Sequence, residues 1–67
     1  MHPAASHVLA YFNCGHLPDK LQAVVLPFRA LANEVANRAP DSPETTVALR
    51  KLLEAKDAAV RAALPPA

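Results

Sequence analysis

The chain has no tryptophan, one tyrosine, two phenylalanines, one methionine, one glycine and one cysteine in 67 residues. Because Cys14 is the only cysteine, no disulfide framework can form within one copy. Aromatics make up 4% of the chain although 52% is hydrophobic, and much of that fraction is alanine. Small side chains let helices approach closely but bury little area each, so a lone domain of this size gains little from its core. Charge of one sign is also lacking: 7 Lys and Arg face 6 Asp and Glu, for a formal net charge of +1. That balance speaks against a binder of duplex nucleic acid. No apolar run reaches the length of a membrane span. The opening Met1-His2-Pro3-Ala4-Ala5-Ser6 has neither the charged start nor the apolar centre of a signal peptide, so a cytoplasmic location is expected. Strand signals are missing too, since β-branched residues cluster nowhere beyond Val24-Val25.

What the sequence has is helical order punctuated by seven prolines. Pro3 opens a short helix over Ala4–Phe12, and Asn13-Cys14-Gly15 closes it, with Gly15 suited to a left-handed exit. A second helix begins at Pro18 and Asp19. Its stripe of Leu21, Val24/Val25, Phe28, Leu31/Ala32, Val35 and Ala39 carries it to Arg38 or Ala39. Pro27 lies inside, where it deprives the Ala23 carbonyl of its donor, so a kink is expected there. The turn Pro40-Asp41-Ser42-Pro43 is short enough to demand an antiparallel return. Ser42 then caps a third helix, with Pro43 in its first position and Glu44 at its positive end; Pro65-Pro66 stops it.

That third helix bears two apolar stripes. Thr45, Ala48, Leu52, Ala55, Ala59 and Ala62 form one; Leu49, Leu53, Val60 and Leu64 form the other. The preceding helix can cover one, and the second needs another surface. A chain this short must offset roughly 1.5 kcal/mol of ordering entropy per residue. A second copy of itself is the natural cover. The expected architecture is therefore all-α and single-domain over residues 1–67: a short N-terminal helix, then an antiparallel helical hairpin kinked at Pro27, assembled as a compact homo-oligomer.

Few residues suggest chemistry. Cys14-x-His16 with His2 and His7 lacks the spacing of a zinc site, and no metal or cofactor is expected. No nucleophile, base and orienting group stand in a catalytic pattern, so the chain reads as a non-enzyme. Arg50–Glu54 and Asp57–Arg61 are spaced as ion pairs on one helix face, and their arginines could alternatively hold an anionic ligand. The segment Tyr11-Phe12-Asn13-Cys14-Gly15-His16 is richer. It sets two aromatics, an amide and an imidazole at a helix end, with Lys20 one turn into the next helix. Aromatics stack on bases, amides and imidazoles read base edges, and Lys or Arg holds phosphate. Phe12 also suits the hairpin core.

The pattern Phe12…His16-Leu17-Pro18…Gln22…Phe28…Leu31-Ala32, then Pro40-x-Ser42-x-Glu44…Ala48-Leu49…Leu52…Glu54-Ala55, resembles the phage anti-CBASS sponge family. That family shares a helical hairpin domain with the anti-Thoeris sponges. The resemblance spans about Tyr11 to Arg61. It departs at Cys14, where the family usually has tyrosine, at Arg50, where threonine is common, and at Asp57-Ala58-Ala59, which replaces an aromatic–Ala–Asn run. What the resemblance implies is a compact hexamer that binds cyclic oligonucleotide or cyclic ADP-ribose-type immune signals between protomers without cleaving them. Acting in the host cytosol, it would blunt host immunity on behalf of a phage. The ligand-binding residues expected on this reading are Tyr11, Phe12, Asn13, His16, Lys20, Arg50 and Arg61. Bases would stack on Tyr11 or Phe12, and phosphates would lie near Lys20 or Arg50 and Arg61. The alternative is an oligomeric helical module that grips another protein; a helix-turn-helix DNA binder ranks behind both.

Overall fold

The computed structural model describes residues 3–65. Three α-helices follow one another: α1 (Pro3–Leu9), α2 (Asp19–Arg38) and α3 (Pro43–Ala63), with a 3-10 turn (Ala10–Phe12) after α1. The first helix is thus shorter than its sequence suggests, and its expected last turn is wound more tightly. No described residue lies in a strand.

Local signals account for the helix ends. Ser42 takes an extended conformation, and its Oγ accepts a hydrogen bond from the Glu44 N–H at 3.1 Å, satisfying one of the free donors of α3. Pro43 follows in the first turn, where its missing N–H costs nothing. The Thr45 hydroxyl donates to the Pro40 carbonyl at 2.6 Å and ties the connection down. At the start of α2 Pro18 stands in the cap position, one residue earlier than expected. Its carbonyl accepts from the N–H groups of Leu21 and Gln22, both at 2.9 Å. The Gln22 amide reaches back to the Leu17 carbonyl at 2.6 Å and fixes the entering loop. Gly15 does not adopt the left-handed exit: among the described residues none has a positive φ. The chain leaves the 3-10 turn through an extended Asn13, and a Leu17 N–H to Cys14 carbonyl bond at 3.0 Å closes the next turn.

Pro27 is accommodated within one unbroken helix. Both Pro27 and Ala23 are exposed, so the turn that loses a hydrogen bond lies on the surface, where leaving a carbonyl unpaired costs less than in a core.

α2 and α3 share the most extensive contact, and α1 rests chiefly on α3. Ala5, Val8, Phe12, Ala32 and Leu49 form the core cluster, with Phe28, Val35, Leu52 and Leu53 packed around it. Ala32 and Leu49 are wholly buried. Of the two stripes on α3, Leu49 and Leu53 of one and Leu52 of the other pack on this core, while Leu64 is exposed. Ala48, Ala55 and Ala62 of the Leu52 stripe are exposed. Large apolar side chains left at the surface are Leu26 and Leu31 on α2, Val47 on α3, Leu64 just beyond α3, and Tyr11.

Candidate functional site

The loop after the 3-10 turn and the C-terminal half of α3 border one cleft, and Phe12, driven into the core, anchors the loop there. Phe12 is 1% exposed. Its burial turns Tyr11 and Asn13, on either side, outward. The cleft has a volume of about 490 Å³, within the size range of small-molecule sites. Leu17, Val25 and Val60 supply its apolar lining. Its polar groups come from two directions: Tyr11, Asn13 and His16 from the turn and loop, and Lys56, Asp57 and Arg61 from α3.

The cations of this cleft differ in their freedom. Lys56 Nζ lies 2.7 Å from Asp57 Oδ1, and its side chain is only 14% exposed. Arg61 is exposed and, among the described residues, has no carboxylate within ion-pair distance. The expected Asp57–Arg61 pair is therefore replaced by Lys56–Asp57. Likewise Glu54 lies 3.7 Å from Lys51 Nζ rather than pairing with Arg50. In both cases a lysine nearer in sequence reaches the carboxylate first. Such exposed pairs as Lys51–Glu54 and Glu34–Arg38 contribute little to stability.

A second cleft of about 330 Å³ lies on the other side of Tyr11, between α1 and α3. His7, Tyr11, Arg50 and Glu54 line it. The His7 and Tyr11 rings meet edge to face, 5.6 Å apart with planes at 82°. Tyr11 thus stands as a ridge shared by both clefts, 56% exposed and supported on one side by an imidazole.

Of the seven residues expected to bind ligand, Tyr11, Asn13, His16 and Arg61 converge in the larger cleft. Arg50 lines the smaller one. Lys20 is exposed in the first turn of α2 and lines neither. Phe12 is a core residue whose ring offers no face to a ligand. Lys56 and Asp57 complete the larger cleft and were not anticipated as ligand contacts. A signal for Lys56 was present: it interrupts the apolar stripe between Leu53 and Val60.

Among the described residues no group of three or more His, Cys, Asp or Glu is arranged to hold a metal ion. Cys14 is a free thiol, 2% exposed, and packs as a small apolar side chain. No described helix is long and apolar enough to cross a membrane. No protein-family model, curated protein or solved structure matches the chain.

Proposed function

We propose that this chain is a non-enzymatic sponge that binds cyclic oligonucleotide or cyclic ADP-ribose-type signals and sequesters them intact in the host cytosol as a phage counter-defence. The observation that carries the reading is the meeting of Tyr11, Asn13 and His16 with the cations Lys56 and Arg61 around one cleft. An exposed phenol ring suits stacking against a base, an amide and an imidazole suit its edge, and the cations suit phosphate. Lys20 and Phe12 lie outside that cleft and form no part of the proposed site; Arg50 belongs to the neighbouring cleft across Tyr11.

The same reading makes the working form a homo-oligomer, a hexamer by resemblance, built on an antiparallel α2–α3 hairpin kinked at Pro27. Its support is physical. The chain exposes 4582 Å², whereas a monomer of 7.1 kDa is expected to expose about 4,100 Å². Its radius of gyration of 12.4 Å likewise exceeds the value of about 10.9 Å expected for this length. Leu26, Leu31 and Val47 are exposed in the single chain, and self-association would cover them.

Calorimetric titration with cyclic di- and trinucleotides and cyclic ADP-ribose isomers tests the binding. At least one should bind, and chromatography should recover it unchanged after the protein is denatured. Light scattering should give a mass above one chain. Silence across the panel removes the sponge reading. The exposed Leu26 and Leu31 also favour a second reading, an oligomeric module that grips another protein. In that case a stoichiometric protein partner is retained in a pull-down and nucleotides do not displace it.

A further inference from the structure

Helical spacing leads the core stripe of α3 from Leu49 to Leu53, then three residues on to Lys56, and four more to Val60. A lysine thus occupies a register that an apolar side chain would complete. Its side chain is 14% exposed, against 72% for Lys51 on the same helix. Ordering so long a stem costs more rotamer entropy than leucine or alanine would at that position. Departures from local pattern of this kind concentrate at functional sites.

The placement of the ammonium gives the departure a use. Successive residues of a helix point about 100° apart. Lys56 therefore meets Asp57 only by folding its stem across to the next residue's carboxylate, which is 47% exposed and lines the same cleft. Arg61 follows Asp57 by one turn and lines that cleft without a carboxylate partner among the described residues.

We propose that Lys56 is the phosphate anchor of the cleft and that Asp57 is its resident counter-ion, which an incoming anion must replace. The inference rests on reading this cleft as the ligand site. It adds a selection rule. A phosphate oxygen can exchange with the Asp57 carboxylate at Lys56 and accept further bonds from Arg61, whereas a neutral nucleoside offers only uncharged acceptors in exchange for a carboxylate. Asp57 has two opposed effects: it holds the ammonium in position and it competes with the ligand.

The test uses the full chain and calorimetry, with inorganic pyrophosphate as the anionic probe, adenosine as the neutral one and cyclic di-AMP as the cyclic one. Pyrophosphate should bind, and adenosine should bind at least about 10-fold more weakly. Lys56→Met keeps an unbranched stem and completes the apolar stripe, so its melting temperature should equal or exceed that of the parent. Its affinity for pyrophosphate should fall at least about 10-fold. Lys56→Gln provides the same loss of charge should the methionine disturb folding. Asp57→Asn keeps an acceptor for the Lys56 ammonium while removing the competing charge, and should tighten pyrophosphate binding about 3-fold; unchanged or weaker binding would overturn Asp57 as the resident counter-ion. The anchor is refuted if pyrophosphate fails to bind the parent, or binds both Lys56 variants as tightly as it. If cyclic di-AMP binds parent and variants alike, the anchor falls and the sponge survives. If pyrophosphate binds through Lys56 while the whole cyclic panel is silent, the anchor stands and the sponge reading falls.

Discussion

Leu49→Ala probes the packing on which the cleft depends. Leu49 is fully buried in the cluster that also holds Ala32 and Phe12. Truncation removes three carbons, and at about 0.8 kcal/mol each the transfer loss is about 2.4 kcal/mol. The close-packed cluster around Leu49 can relax only partly into the space. The cavity left behind raises the cost to about 3–4 kcal/mol. A chain of 67 residues has a total stability of about 3–10 kcal/mol. The variant should therefore lose a third or more of its stability. In urea, followed by far-UV circular dichroism, the midpoint should fall by about 3 M at a slope of about 1 kcal/mol/M. Val47→Ala is the matched comparison, since Val47 is 44% exposed in the single chain. It should change the stability of an isolated protomer by no more than about 0.5 kcal/mol. If protomers cover it, its cost rises at high protein concentration and fades on dilution. A midpoint shift under about 1 M for Leu49→Ala, at unchanged slope, would refute the core assignment.

Ser42→Ala removes the acceptor of the Glu44 N–H and should cost about 1 kcal/mol in a thermal or urea melt, while Ser42→Asp should retain most of that. Gly15→Ala should leave stability unchanged or raise it by about 0.4–1 kcal/mol, because the position has no positive φ and an added Cβ meets nothing nearer than Asn13 Oδ1 at 4.0 Å. A clear loss in a melt would show that the loop needs glycine after all. Tyr11→Ala should leave the helical spectrum intact and weaken calorimetric binding of a cyclic nucleotide by about 1–3 kcal/mol, since the exposed ring contributes little to the core.

Helix content was legible in the residues because its signals are local. Ser42-Pro43-Glu44 specifies a start by hydrogen bonding and fixed φ within three residues, and the stripe from Leu21 to Ala39 needs only its own period to be read. The fate of Pro27 was partly legible: the stripe keeps phase across it, and the helix continues. Two matters lay beyond local reasoning. Gly15 could take a left-handed turn, but the path of the loop between packed helices did not require one. Carboxylate partners were assigned by i,i+4 spacing, yet side-chain reach gave Glu54 to Lys51 and Asp57 to Lys56.

The site divides along the same line. Sequence by itself fixed an all-helical chain with a polar aromatic segment at Tyr11–His16, since residue type and period suffice for that. Tertiary packing alone decided which neighbour of that segment faces inward. The core takes the Phe12 ring because burial rewards the fully apolar side chain, and Tyr11 and Asn13 must then turn outward. The same packing sets Lys56 and Arg61, forty or more residues away in the chain, around one cleft with Tyr11 and His16. Contacts between residues so distant depend on how helices seat against each other, which no single stretch of sequence encodes.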